Sequence, residues 1–196
     1  ACREASKQEI IRRYFDALNA LAKGSTSEKE AQKIELLMNM AGITVTDRKV
    51  VIKALERAKE TDGPAAALEL RDGRIITGKT TNLLGASAAL LLNVLKVLAG
   101  IDHETHIISP ESIEPIQKLK VDYLKSKNPR LHTDEVLIAL SASAATNPQA
   151  RLALSQLPEL AGCQAHTSVM LSDVDIKIFK KLEVQLTSEA VYEHAL

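Results

Sequence analysis

Apolar residues recur at helical spacing three times in the first third of the chain, and at strand spacing only after it. Ser6-x-x-Glu9 has the form of a capping box ahead of Ile10, Ile11, Tyr14, Phe15, Leu18 and Leu21, and Gly24 supplies a stop. Ser27-x-x-Glu30 repeats the signal before Ile34, Leu37, Met38 and Met40, with Gly42 behind them. A third helix is expected to open at Thr46-Asp47, carry Val50, Val51, Ala54, Leu55 and Ala58, and break at Asp62-Gly63-Pro64. Short loops between three amphipathic helices predict an antiparallel bundle or a group that packs on a neighbour.

Beyond Pro64 the periodicity changes. Ala66 to Leu70 and Arg74 to Gly78 read as hairpin strands around Asp72-Gly73, and Asn82 to Ala99 as a long apolar helix. His106 to Ser109 is expected as a short strand, and Ser109-Pro110-Glu111 as the start of a helix running to about Leu124. Thr133-Asp134-Glu135 caps a helix through Ala145, and Asn147-Pro148 restarts another to about Leu160. Gln164 to Leu171 alternates as a strand, Ser172-x-x-Asp175 caps the next helix, and Val184 to Thr187 closes as a strand. The alternation predicts an α/β class with a three-layer α/β/α sandwich over residues 63–196, preceded by a helical subdomain over residues 1–62.

One string changes the functional question. Gly73-Arg-Ile-Ile-Thr-Gly-Lys-Thr80 fits G-x-x-x-x-G-K-[ST] letter for letter. A phosphate-cradling loop must curl so that consecutive N–H groups point inward. Ile75, Ile76 and Thr77 are β-branched and follow a hairpin turn, so the string is expected to be a strand.

Composition narrows the partners. Twenty-five basic and 25 acidic side chains cancel, and there are three Tyr, two Phe and no Trp, which offers nucleic acid neither a positive field nor stacking platforms. Two cysteines, Cys2 and Cys163, make no disulfide framework and suit a reducing cytosol. The apolar stretch Leu83 to Ile101 is interrupted by Asn93 and Lys96, so it reads as a buried helix and no membrane segment is expected. The opening Ala-Cys-Arg-Glu has no basic-then-apolar leader.

The runs from Gly73 to Ser87, Ile108 to Asp122 and Asn128 to Pro148 resemble a family of bacterial proteins known as domain of unknown function 1846, and the resemblance continues from Cys163 to Tyr192. It implies the C-terminal part of a longer protein, partnered by its N-terminal remainder, with a sandwich of deaminase-like topology. Zinc-deaminase chemistry does not follow, because neither H-x-E nor P-C-x-x-C occurs in the chain.

The residues themselves point to one kind of site. Lys79, Thr80, Thr81 and Asn82 lie between a strand end and a helix start, where free N–H groups and the positive dipole end favour an anion. Ser109 and His132 sit on two further loops that would converge there if the sheet places its switch point at that end. His103-Glu-Thr-His106 lacks the i, i+4 histidine spacing of a zinc helix, and Cys163-x-x-His166 lacks two further ligands, so no metal is expected. The best reading is a domain that binds a small anionic or phosphorylated ligand. The alternative is a structural or homo-oligomerisation domain whose apolar helices pack on a partner chain.

Overall fold

The computed structural model describes residues 2–193. Helices α1 (Cys2–Ala22), α2 (Glu28–Ala41) and α3 (Lys49–Thr61) precede the strands β1 (Ala65–Glu69) and β2 (Ile75–Lys79). Then follow α4 (Ala86–Leu98), α5 (Pro110–Lys118), α6 (Thr133–Ser143), α7 (Pro148–Leu154), β3 (Gln164–Thr167), α8 (Asp173–Lys181) and β4 (Gln185–Ser188). The described residues thus form an α/β fold with eight α-helices around one mixed sheet of order β2-β1-β3-β4. β1 is antiparallel to both β2 and β3, whereas β3 and β4 run parallel around the crossover through α8.

Strand β1 is nearly all alanine because helices approach both of its faces. Successive side chains point to opposite faces. Ala67 joins Val50 and Ala54 of α3, while Ala66 and Leu68 join the main core with Leu90, Leu91 and Leu95 of α4. Gly78 marks the closest approach. A Cβ there would lie 2.5 Å from Leu90 Cα and 2.8 Å from the Ala86 carbonyl oxygen, both backbone atoms. The second glycine of the P-loop-like string therefore serves helix packing. Ile75 to Lys79 pair in register with Glu69 to Ala65, so the string lies on a strand rather than a phosphate loop.

Arg48, just ahead of α3, is fully buried and has no carboxylate acceptor among the described residues. Its Nε donates to Thr187 Oγ1 at 3.0 Å, and Nη1 donates to the side-chain oxygens of Gln8 at 3.3 Å and Gln164 at 3.2 Å. Nη2 donates to the carbonyls of Ala165, at 3.2 Å, and Gln185. All five N–H groups are spent, on α1, β3 and β4. Burial lowers its pKa to about 10, which leaves it protonated at neutral pH. Beside it, the buried His166 stacks on Phe15 of α1 with centroids 4.9 Å apart. Burial also holds His166 below its ordinary pKa. A neutral ring can donate from Nε2 to Glu189 Oε1 at 3.1 Å and accept the Thr187 hydroxyl at Nδ1, 2.8 Å away.

Several boundaries differ from expectation. α1 already runs from Cys2, so Ser6-x-x-Glu9 lies inside a helix: capping residues act only where the chain enters one, and here Arg3, Glu4 and Ala5 carry it further back. Residues 106–109 form no strand; Ile107 and Ile108 are buried from a loop, with no neighbouring strand to pair with. The helix from Pro110 contains Pro115 and ends in a π-helical turn at Leu119–Tyr123. The helix from Pro148 stops at Leu154 and resumes as a 3-10 turn at Leu157–Leu160, where Pro158 interrupts it. β3 ends at Thr167, four residues short of the alternating run.

Two substitutions test these contacts by chemical denaturation. Gly78→Ala is expected to cost about 3 kcal/mol or more, because the new methyl meets backbone that cannot move aside. Arg48→Met is expected to cost about 3–5 kcal/mol by leaving five buried acceptors short of a donor.

Candidate functional site

The segment after β2 is tied down at both ends. Thr80 N–H donates to the Pro64 carbonyl at 2.9 Å, and Thr81 Oγ1 accepts from the N–H groups of Leu83 and Leu84 at 3.2 and 3.0 Å. A short parallel bridge then joins Leu84 to Leu131: Leu131 N–H donates to Leu83, and Gly85 N–H donates to the Leu131 carbonyl at 3.2 Å. This bridge sets the start of α4 beside the start of α6. The expected helix start at Asn82 is displaced to Ala86, because the Thr81 hydroxyl caps a turn and leaves Asn82 to Gly85 outside the helix.

The N-terminus of α4, like those of α2, α3, α5 and α6, has no side-chain cap hydrogen bond. Its N-cap is Gly85, which has no side chain to accept a hydrogen bond, and Ala86, Ser87 and Ala88 are all buried. Gly85 accepts from Ala89 N–H, while the N–H groups of Ala86, Ser87 and Ala88 have no hydrogen-bond partner among the described residues. The first N–H groups of a helix have no intrahelical partner and are open to other acceptors. The Ser87 hydroxyl, on a residue only 3% exposed, likewise has no partner among the described residues. Gly85, Ala86 and Ser87, but not Ala88, line a cavity of about 120 Å³ shared with Thr80, Arg130, His132, Asp175 and Glu193.

Opposite them stands an ion pair. Asp175, buried at the start of α8, accepts from Thr133 N–H at 2.9 Å, Thr133 Oγ1 at 2.7 Å and Ser172 Oγ at 2.9 Å. Its remaining partner is His132 Nδ1 at 3.0 Å. Burial by itself pushes the Asp175 carboxyl up, but the hydrogen bonds from His132 and Thr133 outweigh it and the pKa falls below the ordinary value. The hydrogen bond to Asp175 raises the His132 pKa, against a smaller opposing effect of burial. Asp175 thus favours the imidazolium and fixes the ring through Nδ1, and Nε2 has no partner among the described residues. Arg130 is anchored by Nε to the Thr81 carbonyl at 2.9 Å and by Nη1 to Glu193 at 3.3 Å.

The expected site residues divide among three places. Thr80 and His132 line the small cavity. Lys79, Thr81 and Asn82 line a separate cleft of about 520 Å³ with Asn93, Lys96 and Ile108. Lys79 is exposed and makes no ion pair among the described residues. Ser109 is the exposed N-cap of α5, its hydroxyl 3.1 Å from Ser112 Oγ, and it lines neither cavity. Ser87 and Asp175 were missed. Ser172-x-x-Asp175 signals only a cap, and no local spacing links Asp175 to a histidine 43 residues away.

These features define an α/β protein with a small cavity of mixed polar and apolar lining at a helix start. Residues 46–196 match the family model described as "Domain of unknown function DUF1846, C-terminal", and residues 1–42 match "Domain of unknown function DUF1846, N-terminal". The chain belongs to this family and corresponds to its C-terminal part. It is 58% identical over 191 residues to a "UPF0371 protein" of Corynebacterium aurimucosum, covering 97% of this chain and 38% of that protein. A UPF0371 protein of Corynebacterium efficiens is 56% identical over 98% of this chain and 39% of its own length. One from Streptococcus pyogenes is 48% identical over 97% of this chain and 39% of its own length. The chain thus spans about two fifths of the length of these curated relatives.

The ion pair has a predictable pH signature. His132 has a folded pKa above its ordinary 6.5, so its contribution to stability is full below that value and is lost as pH rises through the folded pKa. Asp175 has a depressed folded pKa, so its contribution is present above its ordinary 3.8 and lost as pH falls through the folded value. The stability difference between the parent and His132→Gln is therefore expected to be larger in mildly acidic than in mildly alkaline buffer. Denaturant titrations of both across that window measure it.

Proposed function

We propose that this chain is a binding domain for a small anionic or phosphorylated ligand, used together with the N-terminal remainder of the longer protein. The observation that carries the reading is the start of α4, where the N–H groups of Ala86 and Ser87 and the Ser87 hydroxyl share a cavity with His132 and have no partners of their own among the described residues. Helix N-termini favour anions through both free donors and the dipole. Asp175 favours protonation of His132, and the protonated ring presents an Nε2–H donor with no partner among the described residues. The cavity volume suits an anionic group such as phosphate, with the rest of a ligand outside it. Thr80 contributes at the rim, and Lys79, Thr81 and Asn82 act from the neighbouring cleft, Lys79 through its charge.

The same reading takes the sheet, with α3 on one face and α4 on the other, as a three-layer sandwich of deaminase-like topology in a cytosolic protein. No helix among the described residues is long and apolar enough to cross a membrane. The division at Asp62 to Pro64 marks the change from helices to strands, with α3 docked from its N-terminal side onto the sheet.

Calorimetric titration with inorganic phosphate tests the function. Saturable binding is expected, weakened by about 1–3 kcal/mol in His132→Gln and by less in Lys79→Ala, since only the first removes a charged donor inside the cavity. Affinity is also expected to fall as pH rises through the raised His132 pKa. Binding that is absent, or equally strong in His132→Gln, would refute the proposal.

A further inference from the structure

The geometry points to a second surface, independent of the anion cavity: the outer face of α2, which we propose is the seat of the N-terminal part of the full-length protein. α2 is apolar on two sides. Its inner side carries Ala31, Ile34 and Met38, packed with Ile11 and Phe15 of α1 and Val51 of α3. Successive residues advance by about 100° around a helix, so Leu36 and Met40 fall on the opposite side and Leu37 on the flank between. They are 60%, 58% and 77% exposed, while Met38, two residues from Met40, is 4% exposed. A helix with apolar stripes on both sides is a helix buried on both sides.

The family match says what covers the second stripe. Both α1 and α2 fall within residues 1–42, which match the N-terminal domain of the family, whereas α3 and the sheet fall within residues 46–196, which match the C-terminal domain. α1 and α2 thus belong by sequence to the N-terminal domain and pack by their inner faces on the C-terminal one. Relatives of which this chain covers 38–39% contain the rest of that N-terminal domain, and the bare outer face of α2 is the surface left for it. Lys29 and Lys33 share the stripe with Leu36, Leu37 and Met40, so the docked face is apolar with carboxylates at its edge.

Methionine oxidation tests this on the protein without substitution, because Met40 and Met38 are neighbours with opposite exposure. In the 196-residue chain, mild peroxide is expected to convert Met40 to the sulfoxide far faster than Met38. In the full-length protein Met40 is expected to slow on the order of tenfold, independently of protein concentration. The double variant Leu37→Glu/Met40→Glu is expected to melt with the parent in the 196-residue chain and several degrees below it in the full-length protein. Equal Met40 oxidation in both proteins would overturn the assignment. Protection that appears only as a dimer forms would overturn it in favour of a second copy. A variant that destabilises the 196-residue chain itself would show that this chain already uses the face.

Discussion

The fold depends on a buried cation whose hydrogen bonds all go to neutral acceptors. Arg48 spends its five donors on Gln8, Gln164, Thr187 and two strand carbonyls, and so joins α1 and the start of α3 to the parallel pair β3–β4. Placing a guanidinium where no carboxylate answers it is costly, and only complete hydrogen bonding makes it tolerable. That requirement is geometric. Gln164 and Gln185 stand opposite each other in register, and Thr187 must present its hydroxyl both to Arg48 and to His166. The helices at the start of the chain are therefore fastened to the sheet by polar contacts as well as by the apolar cluster of Ile11, Phe15 and Val51.

With the sheet fastened on that side, close packing on the other positions the cavity. Gly78 lets α4 lie against β2, and the Leu84–Leu131 bridge brings the α6 start next to the α4 start. Asp175 then caps α6 through Thr133 and holds His132 in one orientation. One carboxylate thus does a structural and an electrostatic task together, and the alanines and glycine at the α4 start leave backbone donors bare where a side-chain cap would have filled them.

Much of this order is legible in the sequence where the signal is local. Asn147-Pro148 and Ser172 cap their helices as their chemistry dictates, Gly42 ends α2 in the left-handed region, and the β-branched interior of the P-loop-like string makes a strand. Local signals mislead where a stronger neighbour acts. Ser6 lies within a helix, and the apolar Ile107 and Ile108 fill the core from a loop instead of pairing. Of the site, Lys79 to Asn82 and His132 were visible as donors near helix starts. The open amides of Ala86 and Ser87 were not, because a glycine N-cap gives no positive signal, and the pairing of His132 with Asp175 arises only from the tertiary fold.

The anion cavity depends on the Ala86 and Ser87 amides and the Ser87 hydroxyl, and amide nuclear magnetic resonance reads the two amides directly. On titration with inorganic phosphate at mildly acidic pH, the N–H resonances of Ala86 and Ser87 are expected to shift together and saturate with the His132 imidazole resonances. Shifts confined to surface lysines, with the α4 amides unmoved, would contradict it.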